Sequence, residues 1–343
     1  MFDTAAPFYD ILKTYFAIIY YNSRKKAGNP MISNLIVAIG AVIPLFFLML
    51  IGVAVKKMRL LTELELAHVN RMIFKIFFFF MMFYNIYTTD IAETFRPHLI
   101  LFGALGVLAS AVIGGIVICL IEKSNKRRGA MIQAIFRSNF VIMGIPIISN
   151  IFGDDQLAIP TMMIAIIVPM YNIISVFILE TFRGGHFDVW GILRNVLKNP
   201  MILGAILGFA LLLLGIPLPK VILKPISQIA AATTPIALII LGASFKAGTY
   251  HEHLPQLIGC ICGRLLIVPA IMLSLAIFLG FRGIELVTLM AIFATPCAVA
   301  GFAMAQQMGS DADLAGNCVV YTTGLSCFTI FGWVFVLKTL GMF

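Results

Sequence analysis

The chain has 343 residues, 61% of them hydrophobic and 11% charged, with a net charge of +9. A soluble domain is about half apolar and about a quarter charged, so this composition excludes a soluble enzyme or binding module and describes an integral membrane protein. The surplus of Lys and Arg falls in short loops between apolar segments, where it orients membrane helices and argues against nucleic acid as a partner.

Residues 1–30 read as an N-terminal extension, with Met31 as an alternative start. Phe8–Tyr21 is apolar but short, holds Asp10 and Lys13, and is followed by Arg24-Lys25-Lys26. No basic stretch precedes it, so an interfacial amphipathic helix fits better than a cleaved signal peptide. Ten apolar segments follow, near the length of about 20 residues that a bilayer requires. They are Ile32–Val55, Leu66–Tyr87, His98–Ile121, Ala130–Phe152 and Leu157–Phe182, then Met201–Ile216, Ile226–Phe245, Leu254–Leu279, Ile284–Met308 and Leu314–Leu340. No strand-period alternation interrupts them, so the expected class is all-α.

Basic residues then set the orientation. Lys56, Lys57 and Arg59 follow the first segment, Lys123, Lys126, Arg127 and Arg128 the third, and Arg183, Arg194 and Lys198 the fifth. The loops after the second and fourth, with Asp90, Glu93, Asp154 and Asp155, are poor in Lys and Arg. The odd-to-even loops are therefore expected in the cytoplasm and both termini outside it, in a plasma (inner) membrane. Arg24-Lys25-Lys26 runs against this order, but several short loops outvote one tail. Five spans per half is an odd number, so residues 31–182 and 199–343 are expected as two inverted five-helix repeats. Residues 183–198 form the cytoplasmic linker between them.

Two stretches break the helical pattern at matching places. Ser138–Pro146 (SNFVIMGIP) lies in the fourth segment and Thr295–Gly301 (TPCAVAG) in the ninth; the offset that takes 138 to 295 also takes Gly144 to Gly301. Pro146 and Pro296 remove helix donors, while Gly144 and Gly301 permit unusual backbone angles. Broken segments at corresponding places in two halves are the best sequence pointer to a transporter site near the bilayer midplane. There the freed backbone groups must face protein or a watery cavity, and half-helix N-termini favour an anion. Ser138, Asn139, Gly144, Pro146, Thr295, Pro296, Cys297 and Gly301 are the candidate substrate-binding residues, with backbone amides providing much of the attraction. Neither break holds Asp or Glu, which favours an anionic or neutral substrate over a cation. Lys75 on the second helix and Arg264 inside the eighth are candidate charge partners, since charge at membrane depth is expensive. His68 and Arg71, on the face of Lys75, are expected to snorkel at the helix end.

His251-Glu252-His253 with Cys260 and Cys262 matches no standard zinc spacing, so no metal or other cofactor is expected. The six cysteines sit in or beside apolar segments and read as small hydrophobes. No Walker loop, nucleophile elbow or HExxH occurs, so ATP-driven transport and proteolysis have no support, and no enzymatic activity is expected.

SNFVIMGIPI, NPMILGAILGF with GIPLP after it, TPIALIILGASF and Pro296–Ala305 together resemble the auxin efflux carrier family, a similarity covering Met31–Phe343. The resemblance implies a ten-helix fold with crossed broken helices four and nine. It implies a scaffold of spans one, two, six and seven, an elevator-type transport domain from the remaining spans, and weak organic acids as substrates. It places Asn139 at the family's crossover asparagine. The chain departs from relatives at Phe79, where an all-Phe run replaces the usual proline, and lacks the long cytoplasmic loop of the plant carriers. The expected function is a secondary transporter of a small organic anion, with a dicarboxylate such as malonate or malate first. A sodium- or proton-coupled symporter of a larger anion and a non-transporting membrane sensor are the alternatives. The lipid bilayer is the expected surrounding, and a homodimer is left open.

Overall fold

The computed structural model describes residues 30–88, 96–153, 156–183, 189–245 and 253–343. Arg24–Lys26, Asp90, Glu93, Asp154 and Asp155, on which part of the orientation rests, lie outside the described residues. The described chain is helical, and its one β-type feature is an isolated bridge.

Helix α1 (Pro30–Lys57) is followed by α2 (Glu63–Tyr87), whose start is fixed by a capping box. Thr62 N–H donates to Glu65 Oε2 at 2.7 Å and Glu65 N–H returns to Thr62 Oγ1 at 3.3 Å, satisfying two donors that a helix start leaves open. Helix α3 (Pro97–Ile121) crosses next, and then the fourth segment arrives in two pieces, α4 (Asn125–Phe136) and α5 (Phe140–Phe152). Helix α6 (Ala158–Arg183) and the short α7 (Val189–Leu197) lead to α8 (Pro200–Leu213), capped by Asn199 Oδ1 accepting from Met201 N–H at 3.0 Å. Helices α9 (Lys220–Ser244) and α10 (Leu254–Phe278) precede the second divided segment, α11 (Gly283–Ala294) and α12 (Ala300–Gln307). Helix α13 (Ala312–Thr339) closes the chain, its start capped by Asp311 Oδ1 on Leu314 N–H at 2.9 Å.

Six of these, α2, α3, α6, α9, α10 and α13, are long and apolar enough to cross a membrane. The boundaries repeat along the chain. Helices α2 and α9 begin and end at one offset (63 to 220, 87 to 244), and α3 and α10 share it (97 to 254, 121 to 278).

Lipid tails provide no hydrophobic drive between helices, so close backbone approach at small residues does the packing. Helices α1 and α9 meet through Gly52 and Gly242: a Cβ on either would strike the other helix's backbone, at Ile239 O or Met49 O. Helices α2 and α8 meet the same way, through Gly204 against Phe79 O and Gly208 against Phe83 O. The glycines are four apart, the small-xxx-small spacing for such contacts. Phe79 therefore contributes its backbone to this contact. A π-turn at Ile73–Phe77, just before it, supplies the helix irregularity on this span. The opposite surface is apolar: Leu101, Leu105, Leu108 and Val112 stand exposed along α3, as a lipid-facing helix requires.

Candidate functional site

The first break falls earlier than Gly144 and Pro146 suggest. The helix stops at Phe136 and restarts at Phe140. Pro146 stands exposed just after a π-turn at Phe140–Gly144, an irregularity that suits a residue with no N–H to donate. Gly144 is buried where α5 presses on α11; a Cβ there would lie 2.8 Å from Ala291 Cβ and 2.8 Å from Phe140 Cδ2. The second break runs from Thr295 to Val299 and contains Pro296.

The two links cross and pair with one another. Ser138 faces Cys297 in an antiparallel bridge, Asn139 N–H donates to Pro296 O at 2.8 Å, and Ala298 N–H donates to Arg137 O at 3.2 Å. Backbone that neither helix satisfies is satisfied by the other break, as non-helical chain at membrane depth demands.

On one side of the crossing lies Arg264, fully buried in a π-turn of α10 (Gly263–Ile267). Its Nε donates to Thr295 O at 2.8 Å, Nη1 to Ile135 O and Phe136 O at 3.0 Å each, and Nη2 to Ile292 O at 2.9 Å. These carbonyls end α4 and α11, where helices lack internal donors and carry partial negative charge. One guanidinium thus caps both first half-helices. Thr295 Oγ1 donates to Ala291 O at 2.8 Å, and Cys297 Sγ lies 3.1 Å from Ala134 O while its N–H donates to Thr322 Oγ1. Gly301 sits 3.4 Å, measured from an added Cβ, from the Gln133 side-chain amide, and with Cys297 borders a void of about 10 Å³.

On the other side a cavity of about 120 Å³ opens. Arg137, Ser138, Asn139, Tyr171 and Asn172 provide its polar wall, with Asn85 of α2 and Thr234 of α9 opposite. The starts of both second half-helices, Phe140–Ile142 and Ala298–Ala300, also line it. Their first-turn amides have no acceptor within the helix, so two positive helix ends face one space. Ser138 Oγ and Tyr171 Oη are 2.9 Å apart, and Tyr171 Oη donates on to Ile292 O at 3.1 Å. Asn139 is 6% exposed and its Nδ2 has no partner, an unmet donor beside the cavity.

The sequence candidates therefore divide. Ser138 and Asn139 line the cavity, whereas Thr295, Pro296, Cys297 and Gly301 do not. Gly144 and Pro146 also lie outside its lining, Lys75 is exposed on α2 and is not part of it, and Arg264 is occupied by carbonyls. Arg137, Tyr171 and Asn172 were not singled out from sequence. Arg137 carried a signal, a single basic residue inside an apolar segment directly before Ser138-Asn139. All six cysteines are free thiols, and His251 and Glu252 lie outside the described residues. His253 Nε2 stands 3.8 Å from Asp311 Oδ2.

Beyond the end of α3, a polar platform joins the start of α4 to the start of α10. Glu122, 5% exposed, accepts from Arg127 Nη2 at 2.9 Å, Ser124 N–H at 2.8 Å and Gln256 Nε2 at 3.0 Å. Burial pushes its carboxyl up, but the Arg127, Ser124 and Gln256 hydrogen bonds outweigh that and hold it at about 2. The same platform reaches α13: Ser310 Oγ donates to Lys126 O at 2.6 Å and Asp311 N–H to Lys126 O at 3.1 Å.

The sequence is similar to known membrane transport proteins. The sequence matches the family described as "Membrane transport protein" over residues 37–190 and again over 188–334. An uncharacterized transporter of Methanothermobacter thermautotrophicus is 22% identical over 86% of this chain and 97% of its own length. An uncharacterized transporter of Methanocaldococcus jannaschii is 23% identical over 64% of this chain and 71% of its own. A protein of Rhizobium meliloti described as a "Putative malonate transporter" is 27% identical over 43% of this chain and 47% of its own.

Proposed function

This chain belongs to the membrane transport protein family, and from that premise we propose that it is a secondary carrier of a small organic anion, working by alternating access. One observation carries the reading. Two crossed, broken segments turn the positive starts of α5 and α12 onto a single cavity whose described lining includes no carboxylate. A cation carrier needs fixed negative charge at that place, while helix N-termini attract anions.

In this reading ten spans form two inverted repeats, supported by the boundary offset common to α2 with α9 and α3 with α10. The glycine contacts of α1 with α9 and α2 with α8 support a rigid scaffold of spans one, two, six and seven. The other spans carry the crossing and move against that scaffold as an elevator. Asn85 and Thr234 face the cavity from the scaffold side, so the substrate binds where the two parts meet. Orientation follows the basic loops, with Lys57 and Arg127 in the cytoplasm.

The description of the Rhizobium meliloti relative makes malonate the first probe. Purified protein in liposomes should accumulate labelled malonate, or another small mono- or dicarboxylate, by exchange against the same acid inside. Binding without flux would identify a sensor in place of a carrier, and failure of every carboxylate to bind would overturn the anion reading. Cysteines introduced at Lys57 and Arg127 should resist an impermeant thiol reagent applied outside intact cells; labelling of both would reverse the orientation.

A further inference from the structure

Two arginines at the crossing have no carboxylate partner among the described residues, and of the two only Arg137 lines the cavity. Arg137 is 4% exposed, and its carbonyl is tied to Ala298 N–H, which fixes the root of the side chain within the crossing. Every contact of its guanidinium is neutral. Nη2 donates to Asn172 Oδ1 at 2.5 Å and Nη1 approaches Met304 Sδ at 2.6 Å. The Gln133 amide satisfies both its ends when its oxygen accepts from Arg137 Nη1 at 3.3 Å and its nitrogen donates to Gly301 O at 3.2 Å. Among the described residues no carboxylate pairs with Arg137 and none lines the cavity it borders.

A buried cation held only by amides and a thioether is expensive in a membrane interior, so an anion that completes it gains more there than at a paired residue. The other two candidate cations do not compete. Arg264 is occupied by four backbone carbonyls, and Lys75 is exposed and does not line the cavity. The unmet Asn139 Nδ2 lies along the same wall, and a guanidinium fork matches the two oxygens of a carboxylate. We propose that Arg137 is the residue that receives the carboxylate of the transported organic acid, with the Asn139 amide as the adjoining donor. The proposal rests on the anion-carrier reading and deepens it: recognition depends on one side-chain charge in addition to the half-helix amides.

The test uses the purified full-length protein with malonate, succinate and butyrate as probes, read by thermal shift and calorimetry. Wild type, Arg137→Gln, Arg137→Met and Lys75→Gln are compared. Both Arg137 variants should stay folded with Tm unchanged or raised, because an uncompensated buried charge is removed. Their affinity for the acid that wild type binds should fall by about tenfold or more, as loss of a desolvated charge partner requires. Lys75→Gln should stay within about twofold of wild type, the range of an exposed charge. Wild type should also prefer the acid over its methyl ester, and Arg137→Met should lose that preference. Unchanged affinity in a folded Arg137 variant overturns the proposal while leaving the anion reading intact. Failure of both variants to fold also overturns it, since the guanidinium would then serve the fold without any ligand. If wild type binds none of the acids, the anion reading itself falls.

Discussion

Arg137 and Arg264 lie in one crossing, both buried, and do opposite things. Arg264 donates to four carbonyls that end two half-helices, so its charge is spent on the backbone that made the break. Arg137 holds only neutral groups and borders the cavity. The difference shows that burial alone does not reveal what a buried cation is for; the number of its acceptors and its access to a cavity do. Four carbonyls at helix ends offset the Arg264 charge, whereas the amides and thioether at Arg137 offset less of it and leave it beside the cavity.

The largest expected effect is therefore at Arg264. Arg264→Leu leaves the ends of α4 and α11 uncapped in a dry interior, and each buried carbonyl left without a donor costs about 1–3 kcal/mol. The expected outcome is loss of monodisperse protein after solubilisation, in contrast to folded Arg137→Met. A folded Arg264→Leu with impaired binding would erase the distinction between the two arginines.

Next in size is Asn139→Asp, which places a carboxylate on the cavity wall that Arg137 shares. At contact distance and an effective dielectric of 20, repulsion of a bound anion costs about 4 kcal/mol. Malonate affinity at pH 8 should nearly vanish, while thermal stability holds or rises because Arg137 gains an internal partner. Tighter binding of any probe anion by this variant would overturn the charge assignment for the cavity.

Much of this was legible in the sequence. The spans near Leu66–Tyr87, His98–Ile121 and Leu157–Phe182 match helices Glu63–Tyr87, Pro97–Ile121 and Ala158–Arg183 to within a few residues, because apolar length alone sets them. The existence of two breaks was legible from Gly and Pro. The position of the first was not: a three-residue gap at Arg137–Asn139 contains neither glycine nor proline, and is held open by pairing with the second break, a long-range contact. Ser138 and Asn139 were found because polar residues in an apolar run are conspicuous. Thr295 looked equivalent by spacing, yet its hydroxyl closes on its own helix. Arg137 and Arg264 each stand alone in an apolar segment, and only the fold tells which one carbonyls have claimed.

A third arginine sharpens the contrast from outside the membrane interior. Arg127 pairs with a true carboxylate, Glu122, held at about 2 by its hydrogen bonds. A carboxyl whose folded value lies below its ordinary 4.5 adds stability that is complete above that value and is lost as pH falls from there toward 2. The Tm of wild type should drop between pH 5 and 3 more steeply than that of Glu122→Gln, measured in one detergent at constant ionic strength. Parallel curves would show that the platform does not bear on the folded state.

The smallest effects compare the two breaks directly. Asn139 and Thr295 occupy similar positions beside the crossing, but the Asn139 amide is unmet at the cavity and the Thr295 hydroxyl is bonded to Ala291 O. Asn139→Ala removes a donor that, in the proposed reading, the substrate completes. It should lower malonate affinity by a hydrogen bond's worth, about 1 kcal/mol, with Tm unchanged. Thr295→Val removes a hydroxyl that serves the helix end, so affinity should hold and any loss should fall on stability, again by about 1 kcal/mol. Calorimetry and thermal unfolding of the two variants side by side separate the outcomes. Equal losses of affinity would mean that both breaks touch the substrate, and that the cavity seen on the Arg137 side is half of a larger site.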